Sequence, residues 1–258
     1  MKKLTTLLLL IMSTVSLYSQ EKVVLSHTIK ISDMIEISLA LENKPYGRFH
    51  LIKIDTLTTT NYNGQILQNN FFENIFRRAN VLARYNIDEH KKYRNMDIKG
   101  VIKYFKPSAN EKSYFNLGKL KDLEKNMNLI DNHLTKNNST IYFGIVDSVY
   151  IQQVFPDFKY KLSEEDDYKG IDFESYDLMY VYKSDINQDV IIAVNEDLDH
   201  GYNNLTVTDK KTNMIYKLIK LKRNMTADER DDIKIELMIE NESSIERIPF
   251  DFKNVVVK

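Results

Sequence analysis

The chain has 258 residues, a formal net charge of −1 at pH 7 and no cysteine. The lack of cysteine excludes disulfide bonds, thiolate metal sites, cysteine nucleophiles and a lipid-modified cysteine. The pI is close to 6.5, whereas nucleic-acid-binding domains commonly have values above about 9, so we expect no nucleic-acid partner.

The first twenty residues have the order of segments that is typical of a secretory signal peptide. Two lysines form a positive end, residues 7–12 are apolar, and small polar residues follow at Ser13, Thr14, Ser16 and Ser19. The apolar run is shorter than the roughly 20 residues that span a bilayer, and no later segment is apolar enough to cross a membrane. We therefore predict a signal peptide over residues 1–20, cleaved after Ser19 or Gln20, and a mature chain without a transmembrane segment, periplasmic or extracellular.

Residues 23–67 have the patterns of β-strands. Every second residue from Ile35 to Leu41 is Ile or Leu, which is typical of a half-buried strand. A second extended run covers residues 49–54. The sequence Asn-Tyr-Asn-Gly at residues 61–64 predicts a turn, because Asn and Gly tolerate positive φ.

The apolar spacing then changes to three and four residues, which is typical of amphipathic helices. One stripe, from Phe72 to Ala83, predicts a helix over residues 70–85. A second stripe, from Leu120 to Leu134, predicts another helix. It is too short for a coiled coil and is expected to pack on a sheet.

After residue 137 the apolar residues alternate again, which predicts successive strands joined by short polar turns. Pro249 has no backbone N–H to donate, so the last strand should begin or edge a sheet. The fold class is therefore α+β: an α+β half with two amphipathic helices over residues 21–137, and a mainly antiparallel β half, meander or sandwich-like, over residues 138–258. Two domains and one continuous sheet both remain open.

The stretch NEDLDHGYNN, residues 195–204, places oxygen-bearing side chains at Asn195, Asp197 and Asp199. An EF-hand-type calcium loop has oxygen ligands at positions 1, 3 and 5, glycine at 6 and glutamate at 12. His200 and Thr206 occupy positions 6 and 12. We therefore interpret the stretch as a turn, and keep a calcium site at Asn195, Asp197 and Asp199 as the alternative; no other cofactor is expected.

A second acidic cluster allows a different chemistry, since a pair of carboxylates hydrolyses sugars in many enzymes. The candidates are Asp166, Asp167, Asp172, Glu174 and Asp177. Their separation cannot be read from the sequence, and a solvated loop has the same composition, so no catalytic residue is assigned. The dispersed glycines exclude dinucleotide, P-loop and G-x-S-x-G fingerprints, and the five histidines lack zinc-ligand spacing.

Basic residues interleaved with tyrosines occur between residues 77 and 94, and in an exported protein an anionic glycan is a better partner for them than nucleic acid. A plain solvated helix is a better explanation again. The basic residues are Arg77, Arg78, Arg84, Lys91, Lys92 and Arg94. The sixteen tyrosines fit sugar stacking or protein interfaces, although there is no tryptophan.

These patterns together indicate an exported bacterial protein that acts as a non-enzymatic binding or interaction module of the cell envelope. An envelope protein or a glycan is the expected partner. The alternatives are a secreted hydrolase that uses paired carboxylates and a calcium-stabilised β module. The oligomeric state is not predicted.

Overall fold

A computed structural model describes residues 21–43, 47–68, 71–72, 75–88, 90, 93–130, 141–160, 164, 167, 169–183, 188–199, 202–221 and 225–258. The predicted signal peptide and the predicted boundary between residues 137 and 138 lie outside these ranges. The chain forms two compact units. The first contains the described residues up to Lys106 together with Ile245–Lys258, and the second is Pro107–Ser244.

The first unit is built from antiparallel strands, and the chain returns to it at its carboxyl end. Its strands are β1 (Val23–Ile31), β2 (Met34–Leu41), β3 (Leu51–Asn61), β4 (Phe71–Phe72), β5 (Asn80–Asn86), β6 (Asn95–Phe105) and, after the second unit, β17 (Ile245–Val256). They form two sheets, in the orders β1-β2-β5-β4 and β17-β6-β3.

The two sheets of the first unit share one hydrophobic core, which makes the unit a β-sandwich. Ile35, Ile37 and Leu39 of β2 are fully buried and belong to the same cluster as Ile98 and Ile102 of β6. These residues are two or four apart in each strand, so their side chains point to one face. The period-two pattern predicted for β2 is confirmed.

The helix predicted over residues 70–85 is wrong. Phe71–Phe72 and Asn80–Asn86 are strands, and β5 pairs with β2 along its whole length. Val81, Ala83 and Tyr85 are buried in the sandwich core. Short apolar runs fit both helical and strand spacing. Here the strand is stabilised because it pairs with the edge of β2 and packs its apolar side chains into the core.

The second unit also consists mainly of antiparallel strands. They are β7 (Tyr114–Lys119), β8 (Tyr142–Ile145), β9 (Lys159–Tyr160), β10 (Lys169–Gly170), β11 (Leu178–Lys183), β12 (Val190–Val194), β13 (Asp197–Leu198), β14 (Asn203–Asp209), β15 (Met214–Lys220) and β16 (Lys234–Ile239). Its described residues also form two short α-helices, α1 (Ser148–Val154) and α2 (Ala227–Asp231), and 3₁₀ turns at Leu120–Asp122, Phe173–Ser175 and Glu242–Ser244.

Two sheets, in the orders β14-β15-β11-β8 and β13-β12-β16-β7, form the second sandwich. Its core joins Phe143 and Tyr180 from one sheet to Val194 and Ile235 from the other. A smaller cluster, centred on the buried Ile151 of α1, joins that helix to the first of these sheets. The antiparallel β architecture predicted for the carboxy-terminal half is confirmed.

The helix predicted from Leu120 to Leu134 is also wrong for the residues that the structure describes. Only Leu120–Asp122 is helical, as a 3₁₀ turn. The chain then lies beside β8, with a bend at Asn126, whose φ is 63°. The N–H groups of Asn126 and Leu129 donate to the carbonyls of Ile145 and Phe143, each at 2.7 Å. The backbone carbonyls at the edge of β8 need hydrogen-bond donors. Pairing with this edge stabilises the observed conformation over the helix that the apolar spacing predicted. Residues 131–134 lie outside the described ranges.

The proline in β17 lies on an edge strand, as predicted, since β17 pairs only with β6 within its described sheet. None of the helices in the described ranges has both the length and the apolar character needed to cross a bilayer.

The second unit is inserted between two neighbouring strands of the first. Phe105, at the end of β6, is the pairing partner of Ile245, at the start of β17. Beyond that pair, Lys106 Nζ lies 3.1 Å from a carboxylate oxygen of Glu246. The two connections between the units therefore leave the first sandwich side by side.

We predict that each unit folds on its own, because each has a separate hydrophobic core. One chain would join residues 21–105 to 245–258 through an Asn-Gly turn, and the other would contain residues 107–244. Both should show strand-type circular dichroism and a single cooperative urea transition. A fragment that lacks a transition under conditions in which the intact chain has one would contradict this expectation.

Candidate functional site

A polar groove in the first unit is the main candidate site. It has a volume of about 610 Å³ and opens to solvent at one end of β3, β6 and β17. We call it the first-unit groove; its lining residues are Thr60, Asn61, Tyr62, Gly64, Arg94, Asn95, Met96, Asp97 and Asn254. Most of these side chains carry hydrogen-bonding groups, and buried Met96 belongs to the core beneath.

One wall of the first-unit groove is the turn at residues 61–64. The side-chain oxygen of Asn61 accepts hydrogen bonds from the N–H groups of Asn63 and Gln65, each at 3.0 Å, and Gly64 has a φ of 78°. The predicted turn is confirmed. It leaves the side chain of Tyr62 63% exposed, without a ring or hydrogen-bond partner among the described residues.

The opposite wall is a β-bulge in β17. The pairing register shifts between Phe252 and Val255, and Asn254 adopts a φ of 53°. Its N–H donates to Asp97 Oδ1 at 3.0 Å, and Lys253 Nζ lies 3.4 Å from Asp97 Oδ2. The hydrogen bond from Asn254, followed by the interaction with Lys253, lowers the pKa of Asp97, so the carboxylate is charged at neutral pH and holds the bulge.

Arg94 and Asn95 complete the lining at the start of β6. Asn95 pairs with Val256, and the Arg94 carbonyl accepts a hydrogen bond from the Val257 N–H at 3.0 Å. These backbone contacts fix both positions, whereas the exposed guanidinium of Arg94 has no ion-pair partner among the described residues. The arrangement can bind a polar molecule without any side chain having to leave an existing partner.

A second polar groove, of about 520 Å³, lies in the second unit. Its lining contains the carboxylates of Asp147, Glu174, Asp177 and Asp231 and the cations of Lys121, Lys125 and Arg230. The Asp177 side chain is only 7% exposed, with Arg230 Nε 3.2 Å from its Oδ1. Its Oδ2 accepts a hydrogen bond from the Leu221 N–H at 2.9 Å. This residue therefore connects α2 to the sheet.

Asp147, another carboxylate of the second groove, does not have the environment of a catalytic acid. Asp147 caps α1: it accepts the N–H of Tyr150 at 2.8 Å and the amide of Asn126 at 2.9 Å, and these two hydrogen bonds, in that order, lower its pKa. Every carboxyl pKa that clearly shifts among the described residues shifts downward. A general acid needs an upward shift.

The acidic residues proposed from the sequence as hydrolase candidates are only partly brought together. Glu174 and Asp177 line the second groove, while Asp167 and Asp172 are exposed. Asp172 accepts the N–H of Glu174 at 3.1 Å and caps the short 3₁₀ turn. Asp166 lies outside the described residues.

The stretch proposed as a calcium loop forms a tight hairpin between β12 and β13. Val194 pairs with Asp197, and the two intervening residues, Asn195 and Glu196, have φ values of 49° and 73°. Two positive φ values are typical of a type I′ turn, so the turn interpretation is confirmed. The side-chain oxygen of Asn195 accepts the N–H of Lys234 at 2.9 Å, which ties the turn to β16.

Asp199, the third proposed ligand, is buried among polar partners. Its Oδ2 accepts a hydrogen bond from the Tyr180 hydroxyl at 2.5 Å and pairs with Lys217 Nζ. Tyr180 and Lys217 are directly opposite each other on β11 and β15. Burial, and then the charge of Asp199, raises the pKa of Tyr180 well above its usual value and that of Tyr182 to about 12. We call Tyr180, Asp199 and Lys217 the buried polar cluster.

The calcium hypothesis stays a prediction. Asn195 and Asp199 already use side-chain oxygens as hydrogen-bond acceptors, and Asp197 is exposed on β13. Within the described ranges, no group of three or more His, Cys, Asp or Glu side chains is arranged to hold a metal ion.

The basic segment identified in the sequence is divided between several places. Arg84 lies on β5, where its Nε is 2.7 Å from Glu36, and the backbone of Arg77 bridges to Ile52. Arg94 reaches the first-unit groove, and Lys91 and Lys92 lie outside the described residues. Asn95, Asp97 and Asn254 were missed; the turn at residues 61–64 and Arg94 were the only signals of this groove in the sequence.

No protein-family model matches this chain, and no curated protein matches it in sequence. The function therefore has to be argued from the geometry of the grooves.

We predict that Asp199→Ala destabilises the protein by about 3 kcal/mol, because it leaves the largely buried ammonium of Lys217 without a counter-charge. The two side chains are 8% and 16% exposed. Adding Lys217→Met should restore part of the loss. Urea unfolding measures all three proteins, with Asp157→Ala, at an exposed position, as a control that changes stability by less than about 0.5 kcal/mol. An unchanged stability in Asp199→Ala would contradict the assigned ion pair.

We also predict that millimolar calcium leaves the melting temperature unchanged, because the oxygens of Asn195 and Asp199 are occupied by protein donors. Calorimetry compares the melting temperature in calcium with that in a chelator, and so distinguishes a turn from a calcium site. A ligand that binds only the folded state raises the melting temperature. A rise that disappears in Asn195→Ala would establish the calcium site instead.

Proposed function

We propose that the mature chain is an exported, non-enzymatic binding module of the bacterial cell envelope. The leader sequence supports export, since residues 1–20 have the charge, apolar run and small residues of a signal peptide. The first-unit groove supports the proposal of binding, because the exposed side chains of Tyr62 and Arg94 line one concavity.

The side chains of the first-unit groove fit binding better than catalysis. Asp97 contributes a carboxylate whose lowered pKa and two partners give it a structural role in the bulge. The remaining groups are amides, a hydroxyl, a guanidinium and a phenol, which form hydrogen bonds but do not supply an acid–base pair at neutral pH.

A secreted hydrolase is the second candidate function, because four carboxylates line the second groove. Two of them, Asp147 and Asp177, accept backbone N–H groups and stabilise α1 and the contact with α2. Retaining or inverting glycosidases need one carboxyl group with a raised pKa, and Asp147 has a lowered one. This contrast supports the binding module over the hydrolase.

The experiment begins with the full chain expressed in a bacterial host. We expect the exported form to begin at residue 20 or 21, as read by mass spectrometry, and to be absent when residues 2–12 are deleted. The purified mature protein is then mixed with insoluble envelope preparations, with and without prior protease treatment, and the pelleted fraction is measured. If binding survives protease treatment, the partner is a glycan. If protease treatment abolishes binding, the partner is an envelope protein.

The same mixtures distinguish binding from hydrolysis. We expect the protein to pellet with an envelope preparation and to release no reducing ends over hours. Release that disappears in Glu174→Gln, with the fold retained, would establish the hydrolase. Failure to pellet with every envelope preparation, or retention of the leader in the cytosol, would overturn the proposed function.

A further inference from the structure

The first-unit groove contains several hydrogen-bonding side chains that have no protein partner among the described residues. They are the hydroxyl of Thr60, the guanidinium of Arg94 and the amides of Asn95 and Asn254, and all four residues line the groove. Each amide offers two donors and an oxygen acceptor. Such groups match a ligand with many hydroxyls better than they match an apolar one.

The guanidinium in the first-unit groove favours an anionic ligand. Asp97, the one acidic residue in the lining, accepts the N–H of Asn254 at 3.0 Å and lies 3.4 Å from Lys253, which is also 3.1 Å from Asp251. Arg94 has no ion-pair partner among the described residues, so its exposed guanidinium is the cation of the lining that a ligand can approach. Its planar donors fit carboxylate and sulfate groups in bidentate fashion.

Tyr62 supplies an apolar face beside these polar groups. Its side chain is 63% exposed at the tip of the turn and stacks on no other ring in the part of the chain that the structure describes. Aromatic faces cover the C–H surface of sugar rings, while the phenol hydroxyl remains free to form a hydrogen bond.

The walls of the first-unit groove are held in place by contacts that the ligand would not have to break. The turn is closed by the Asn61 side chain, with acceptor distances of 3.0 Å. The bulge is closed by Asp97. A preformed site loses little conformational entropy on binding.

We propose that the first-unit groove binds an acidic saccharide, with the ring of Tyr62 stacking on a sugar and Arg94 pairing with its carboxylate or sulfate group. This inference rests on the proposed binding function and specifies its ligand class. Thr60, Asn95 and Asn254 then bind hydroxyl groups of the saccharide.

The test measures binding of the mature protein, residues 21–258, to a set of defined oligosaccharides by calorimetry. The probes are hexamers of galacturonate and their methyl esters, oligomers of alginate and hyaluronan, chondroitin sulfate oligomers, and neutral cello- and galacto-oligosaccharides. Methyl esterification removes the charge and keeps the sugar skeleton, so it isolates the contribution of Arg94. The carboxylate and sulfate probes distinguish the two acidic groups.

We expect at least one acidic oligosaccharide to bind about ten-fold more tightly than its neutral counterpart, and to bind more weakly as salt rises. Arg94→Gln and Tyr62→Ala should each weaken it about ten-fold. Arg247→Gln, an exposed arginine of β17 outside the lining, and Ile66→Ala, an exposed residue near the turn, are the matched controls and should leave the affinity unchanged. Unaltered melting temperatures show that the variants are folded.

Three results would overturn the inference: no acidic oligosaccharide binds, esterification has no effect, or Arg94→Gln binds as tightly as the unmodified protein. These results leave the proposed function standing if the protein still pellets with envelope preparations, because the partner then binds elsewhere. The loss of pelleting itself overturns the proposed function, so the two failures are separate.

Discussion

The burial of alternating aliphatic side chains between facing antiparallel sheets holds each unit together. Ile35, Ile37 and Leu39 are completely buried in one sandwich, and Ile235 and Leu237 have the same role in the other. Each such side chain contributes about 1.5–3 kcal/mol on transfer from water. The chain has no cysteine and therefore no disulfide bond. The two cores have to offset the conformational entropy that the chain loses on folding.

This construction places the polar chemistry at the ends and rims of the sheets. A core filled by strand residues leaves little room for water inside, whereas turns and bulges at the strand ends have free amides and hydroxyls. The first-unit groove is such a rim: the turn at residues 61–64 and the bulge at Asn254 are both local departures from regular pairing. The hydrogen bonds that close the turn and the bulge hold each wall of the groove in its local conformation.

The buried polar cluster of the second unit is the exception, since it places charges close to the core. Asp199 is 8% exposed, and its partners Tyr180 and Lys217 come from two adjacent strands of the facing sheet. A buried ion pair adds little net stability, but a register shift of either strand would leave a charge unpaired and is therefore costly. The cluster thus selects one pairing of β11 with β15. A similar role belongs to Asp177, which joins the sheet to α2.

Local patterns in the sequence determined the strand-rich character of the chain, the alternation in β2, the turns at Asn61–Gly64 and Asn195, and the edge position of Pro249. Each of these depends on residues within a few positions of one another, so the backbone preferences are present in the sequence itself. The two helices were predicted wrongly because spacings of three and four residues do not exclude a strand, and only the open edges of β2 and β8 decided between them. The first-unit groove could not be predicted for the same kind of reason: Asp97 and Asn254 are 157 residues apart in the chain, and they meet only because β17 returns to pair with β6 after the second unit has been inserted.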